Sequence, residues 1–249
     1  MFNPPIKANT SSGGENRAEG DVDLRVFRRF FRGTPNNGLM VDVGAARPDF
    51  LSVSAYFRQR GWRVIAIEPN PAFVDLHRAL NHEVYPYACG DHDEDGVSFC
   101  LVDSHGTNYE EGKVSFESFS SLAIKDSYAA LKPNLDVTKI QVDLRKLDTI
   151  LAKHAPEAQE IDILSVDVEG WELEVIRGLN FERYRPKVLI LENLFDDPGY
   201  VTAMLERRYH RWSRIYPNDV YVRSGFDGTG INPHWGRFTD FVSWLFRRL

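Results

Sequence analysis

Four short apolar runs, each stopping on an acid or a glycine, constrain this chain most. They are "LMVDVG" at 39–44, "WRVIAIEPNP" at 62–71, "IDILSVDVEG" at 161–170 and "PKVLILEN" at 186–193. Runs of this length that do not alternate read as strands buried on both faces. Helical patterns lie between them. In 49–60, "DFLSVSAYFRQR", Phe50, Val53 and Phe57 share a face and Gly61 follows as a stop. "PAFVDLHRAL" starts with Pro71, whose missing N–H does no harm in a first helical turn. The β-α-β-α-β order implies a mostly parallel sheet covered by helices.

The stretch at 82–91, "HEVYPYACGD", reads as a third strand, and "GVSFCLV" at 96–102 as a fourth element of the same sheet. "KIQVDLRKLDTILAKH" gives a strand and then a helix, and the rhythm resumes with strand 161–166, helix 170–178 and strand 187–192. "RRYHRWSRIYPNDVYVRS" reads as two antiparallel strands about a "PND" turn.

The 249 residues suit one domain, expected over 21–249, with a polar tail at 1–20. Residues 103–136, rich in Ser, Gly and charge, are expected to lie as a lid over the sheet's carboxyl edge, where ligands bind in open α/β folds. A net charge of −6 argues against a chain-wide basic surface for nucleic acid. Cys89 and Cys100 form no metal-ligand spacing and no disulfide framework. No apolar run approaches the roughly 20 residues of a membrane span, and the polar amino terminus lacks a signal peptide's apolar segment. The expected location is the cytoplasm. In "FTDFVSWLFRRL", Phe238, Phe241, Val242, Leu245, Phe246 and Leu249 fall at helical spacing. That helix would pack on the core, pair two copies as a homodimer, or rest peripherally on a membrane surface with Arg237, Arg247 and Arg248.

The chemistry concentrates where strands end. Gly44 stands alone after the first strand, with Arg47, Pro48 and Asp49 where a G-x-G-x-x-G turn would carry its later glycines. A pyrophosphate-cradling turn is therefore not expected. What remains is Asp42 beside a glycine that lets backbone approach a ligand. Glu68, ending the second strand, can accept hydrogen bonds from both hydroxyls of a ribose. The plainer readings are a turn cap for Asp42 and a solvated strand end for Glu68. Asp167 ends the strand at 161–166, and Glu192 and Asn193 end the next. An acid there costs desolvation energy unless it is paired, metal-bound or facing a cleft. Asp167, Glu192 and Asn193 together would suit Mg2+, which prefers oxygen donors and keeps several waters. Without a metal, Asp167 or Glu169 would serve directly as a base. Glu169 is also well placed at the amino end of a helix, and Glu172 would face solvent. The seven histidines show no ligand spacing.

"VDVGAARPDFLSVSAYFRQRGWRVIAIEPNP", then "YACGDHDEDGVSF", "SFSSL", "VDLRKLDTIL" and "IDILSVDVEGWELEVIRGL" occur in the order seen in FkbM-family methyltransferases, and the chain resembles that family over about 39–193. The resemblance implies an α/β fold, a Rossmann-like seven-stranded class I methyltransferase sheet with an antiparallel C-terminal hairpin, and S-adenosylmethionine as cofactor. It implies that Asp42, Gly44 and Ala45 border the methionine part, that Glu68 holds the ribose with Asn70 beside it, and that Cys89, Gly90 and Asp91 line the adenine. Ser118, Ser120 and Ser121 fall in the family's serine-rich turn, with Ser121 directed to the cofactor or an acceptor sugar. Many members carry Asn and a second Gly where this chain has "AARPD". The metal set resembles the Asp…Asp-Asn or Asp…Glu-Asp triad of catechol-type and macrolide-sugar methyltransferases.

The expectation is therefore an S-adenosylmethionine-dependent O-methyltransferase acting on a hydroxyl of a sugar in a glycan or glycosylated metabolite, with Asp167 and Glu169 as catalytic groups. The competing readings are an NAD-type oxidoreductase and a non-catalytic cofactor-binding scaffold. Methylation of nitrogen ranks below these, because no Pro-Pro-Tyr signature follows the strand at 161–166.

Overall fold

The computed structural model describes residues 18–33, 37–103, 120–129 and 136–228. The C-terminal helix expected at 238–249, residues 1–17 of the tail and most of the lid, with Ser118, lie outside the described residues.

Seven strands form the main sheet: β1 (Leu39–Val43), β2 (Arg63–Ile67), β3 (Val84–Tyr85), β7 (Ile163–Val166), β8 (Val188–Glu192), β9 (Tyr209–Ile215) and β10 (Asn218–Arg223). Their order is β3-β2-β1-β7-β8-β10-β9. The first five run parallel, and β10 pairs antiparallel with both β8 and β9. This is the mostly parallel sheet with an antiparallel C-terminal hairpin that the sequence predicts. The central strands β7 and β8 are buried throughout, as their unbroken apolar runs require.

Each strand feeds two cores by alternation. Val41, Val43, Leu164, Val166, Leu189 and Leu191 face one side, against Leu147, Ile150 and Leu151 of α4 (Leu147–His154) and Val175 and Ile176 of α5 (Glu172–Arg177). Met40, Val64, Ile163, Val188 and Ile190 face the other, against Phe30, Phe31, Phe57 and Trp62. The polar edge strand β9, with His210 and Arg211 exposed, discourages further strand pairing. Among the described residues no helix is long and apolar enough to cross a membrane.

Three features differ from the sequence expectation. The strand at 82–91 is broken at Pro86, which has no N–H to donate: β3 stays in the main sheet, and β4 (Tyr87–Gly90) leaves it. Consequently "GVSFCLV" is not in the main sheet. It belongs to β5 (Glu94–Asp103), which joins β4 and β6 (Asp136–Lys146) in a separate three-stranded sheet of order β4-β6-β5. The helix expected over 49–60 shortens to α2 (Ala55–Arg58), because Ala46 (φ 45°) and Leu51 (φ 49°) turn the chain through left-handed conformations first. The sequence reading assigned no element to 21–33. There α1 (Val22–Val26) and the π-turn after it bury Val22, Val26, Phe30 and Phe31. That i, i+4, i+8 spacing was the available signal.

Candidate active site

Because β1, β2, β7 and β8 are parallel, their carboxyl ends share one edge. The order reverses between β1 and β7, and at such a switch point the connecting loops diverge and leave a crevice. Two adjoining hollows occupy it, enclosing about 540 and 1160 Å3 of space including their solvent-filled mouths. They share Gly44, Ala46, Phe73, Asp167 and Glu169.

The first hollow is lined by Glu68, Ala88, Cys89, Phe99, Ser121 and Trp171, among others. Glu68 is buried, and its two carboxylate oxygens accept from the backbone N–H groups of Ala46 and Asn70, each at 2.8 Å. An ionised carboxylate has about four acceptor positions, so two remain. Burial first, and the Asp42 charge in addition, push the Glu68 pKa up to about 7 against the lowering effect of the amides. Ser121 exchanges both backbone hydrogen bonds with Cys100, which fixes this part of the chain against β5. Burial pushes the Cys89 thiol up, so it stays neutral.

Not every residue implied for the cofactor lines this hollow. Gly90 is buried with its carbonyl against Gly178, where a Cβ would come within 2.1 Å of that oxygen. Asp91 is exposed and pairs with His92 at 2.7 Å and Arg177 at 3.7 Å. Asn70 caps α3 (Pro71–Ala79), accepting from the Ala72 N–H at 3.0 Å. His77, fully buried on α3, contacts the Ala46 carbonyl oxygen through Nε2 at 3.0 Å. Burial and the Arg58 charge lower its pKa to about 4, so it is neutral at physiological pH. It therefore donates from Nε2 and holds the glycine turn to α3.

The second hollow is lined by Asp42, Ala45, Arg47, Asp167, Glu169 and Glu192, with Glu19 at its rim. Asp42 is buried, which raises its pKa, while hydrogen bonds with Ser54 and Ser165 and the Arg58 charge oppose the rise. Asp167 follows β7 and is open to the cleft, although protein encloses it deeply. That enclosure first, then the charges of Glu172 and Glu19, hold its carboxyl well above the usual carboxylate range. Glu169 stands in a left-handed conformation (φ 58°) beside Gly170 (φ 92°), so the "DVEG" turn swings back over the sheet edge. Its side chain is buried, and Oε2 has no hydrogen-bond partner.

The metal set expected from sequence is only partly assembled. Asp167 and Glu192 meet. The Asn193 side chain is directed elsewhere: Nδ2 donates to the Asp197 carbonyl at 3.1 Å and to Asp219 at 2.9 Å, and Oδ1 accepts from the Asp197 N–H at 2.8 Å. It ties β8 to β10. Glu172 occupies the third corner, with carboxylate oxygens of Asp167, Glu172 and Glu192 within 4.8 Å of one another. Its expected solvent-facing position is incorrect, because it is fully buried. The turned loop folds its carboxylate inward, where Oε1 accepts the Val168 and Gly170 N–H groups at 3.0 Å and Oε2 the Tyr200 hydroxyl at 2.5 Å. Tyr128 donates to Glu192 at 3.0 Å. Both tyrosines are distant in sequence, and nothing local marked them.

A parallel sheet with a final antiparallel hairpin and an acid-lined cleft at its switch point is the architecture of a Rossmann-like methyltransferase. The family model described as the methyltransferase FkbM domain matches residues 42–211, more than half of the chain, and the chain belongs to that family. It is 24% identical over 184 residues to "Methyltransferase 1" of Beauveria bassiana (strain ARSEF 2860), covering 68% of this chain and 70% of that one. It is 26% identical over 194 residues to "Methyltransferase sdnD" of Sordaria araneosa, covering 69% and 73%. A solved FkbM methyltransferase from Methylobacillus flagellatus KT is similar at 13% identity with a TM-score of 0.47, covering 83% of this chain and 48% of that chain. The chain thus spans about half the length of that solved protein.

Proposed function

We propose that this chain is an S-adenosylmethionine-dependent O-methyltransferase whose acceptor is a hydroxyl on a sugar of a glycan or glycosylated metabolite. One observation carries the reading. Glu68 keeps two acceptor positions at the floor of one hollow, and Asp167 and Glu169 stand where that hollow meets the next. A nucleoside sugar offers two adjacent hydroxyls to such a carboxylate. The residues present suit the cofactor: Gly44 has no Cβ in the passage between the hollows, and Ala88, Cys89 and Phe99 give an apolar wall for a base.

S-adenosylmethionine, when bound, supplies an electrophilic methyl group. The chain's own residues do the rest. Glu68 orients the ribose, and Gly44 and Ala45 leave backbone room beside it. Asp167 or Glu169 takes the proton from the acceptor hydroxyl, and a carboxyl whose pKa is raised above the usual carboxylate range suits that role. Positioning supplies much of the rate, since the acceptor oxygen need only be held in line. Asp42, Glu19 and Glu192 add acceptors for a polyhydroxylated partner. An NAD-type oxidoreductase fits less well, because "AARPD" replaces the glycines of a dinucleotide turn.

Calorimetry with S-adenosylmethionine, S-adenosylhomocysteine and NAD+ tests the class. Micromolar binding of the two sulfur compounds alone is expected, and preference for NAD+ would overturn the reading. Binding without turnover on any sugar hydroxyl would favour the scaffold alternative.

A further inference from the structure

Three acids gather where β7 and β8 end: Asp167 just after β7, Glu192 on β8, and Glu172 on the helix that follows the "DVEG" turn. One oxygen each from Asp167, Glu172 and Glu192 lies within 4.8 Å of the other two. The strongest charges acting on Asp167, Glu169 and Glu192 are all negative. Carboxylates gathered this closely, two of them buried and Asp167 open only to the cleft, need either shared protons or a cation. A separate observation points to the cation. Glu169 is more than nine-tenths buried, it lines the same hollow as Asp167 and Glu192, and its Oε2 has no donor. A buried carboxylate oxygen without a partner is costly, and a metal ion would relieve that cost.

We propose that Asp167, Glu172 and Glu192 form a divalent-cation site of the magnesium or manganese type, with Glu169 beside it in the same hollow. The donors are all oxygen, which suits a hard cation and disfavours zinc. Octahedral bonds of about 2.1 Å place neighbouring ligand oxygens ~3 Å apart and opposite ones ~4 Å, so a modest closure of the cluster suffices. The ligands are already held from behind. Glu172 is fixed by the Val168 and Gly170 amides and the Tyr200 hydroxyl, and Glu192 by the Tyr128 hydroxyl. Such outer hydrogen bonds orient metal-binding carboxylates. Asn193 is not a ligand, because its amide is engaged with Asp197 and Asp219. The use of the ion, to hold and acidify an acceptor hydroxyl, rests on the methyltransferase reading, whereas its binding does not.

The test is titration of the metal-free full chain with Mn2+ alone, followed by electron paramagnetic resonance and calorimetry, with Mg2+ as competitor. One saturable Mn2+ per chain is expected, displaced by Mg2+. Glu192→Gln and Asp167→Asn should weaken it at least tenfold. Glu169→Gln, which removes no hydrogen bond, should weaken it severalfold and serves if the other variants do not fold. Absence of saturable binding, or wild-type affinity in every folded variant, overturns the site. S-adenosylhomocysteine titrated into the same preparation separates the two readings. Its binding without Mn2+ binding removes the metal site alone, and Mn2+ binding without it sustains the site while the cofactor reading fails.

Discussion

Gly44 and Asp167 touch backbone to backbone across the switch point: a Cβ built on Gly44 would lie 1.7 Å from the Asp167 carbonyl oxygen. The Asp167 N–H in turn donates to the Val43 carbonyl at 3.0 Å. The glycine at the end of β1 therefore sets how closely the proposed catalytic acid approaches the proposed cofactor passage. Gly44 also has φ 75°, which side chains rarely adopt. Gly44→Ala is expected to cost more than about 2 kcal/mol of stability, through a backbone clash and a left-handed alanine together. Thermal or urea unfolding measures it, and an unchanged midpoint would contradict the close approach.

Glu68→Ala should weaken S-adenosylhomocysteine binding by roughly tenfold or more, in line with loss of charged hydrogen bonds. The variant also loses support for the Ala46 and Asn70 amides, so circular dichroism must accompany the calorimetry. Unchanged affinity in a folded variant would contradict the ribose role.

Asp167→Ala should lower methyl transfer by about 10²- to 10⁴-fold, the range for a lost general base, with cofactor affinity nearly unchanged. In the metal-free wild type, kcat/KM should rise with pH as the Asp167 carboxyl, held above its usual range, loses its proton. Full turnover in the variant, or a flat profile, would exclude Asp167 as the base.

The pH dependence of folding has a definite sign. Glu68 titrates near 4.5 when unfolded and at about 7 when folded, so between these values the folded chain binds more protons. Its contribution to stability is fully present below pH 4.5 and is lost as pH rises through about 7. The raised carboxyls of Asp167, Glu169 and Glu192 act in the same direction. The metal-free chain should therefore melt at a lower temperature at pH 8 than at pH 6. A higher Tm at pH 8 would contradict the raised carboxyl pKa values.

Asn193→Ala removes three hydrogen bonds and leaves Asp219, which is fully buried, with one donor fewer. A loss of about 1–3 kcal/mol is expected, readable in denaturant unfolding. Arg214 and Tyr221 still donate to Asp219, which keeps the cost in that range.

Strand positions were legible because they are local properties: an unbroken apolar run such as Ile163–Val166 is buried whatever surrounds it. Parallel order then places every strand-terminal acid on one edge, so Glu68, Asp167 and Glu192 could be named without coordinates. The same periodicity could not tell which sheet a strand joins. Pro86 divides β3 from β4, and the main-sheet membership expected for "GVSFCLV" failed there. Nor could it tell where a side chain points after the strand ends. Left-handed turns at Glu169 and Gly170 bring Glu172 under the cleft, and the β8–β10 pairing draws Asn193 away from it. Those choices rest on loop geometry and on partners such as Tyr128 and Tyr200, far away in the chain. The sequence by itself determined the sheet and the acids along its edge. Only the tertiary structure decided which acids meet, because their proximity depends on backbone turns and long-range contacts that leave no local pattern.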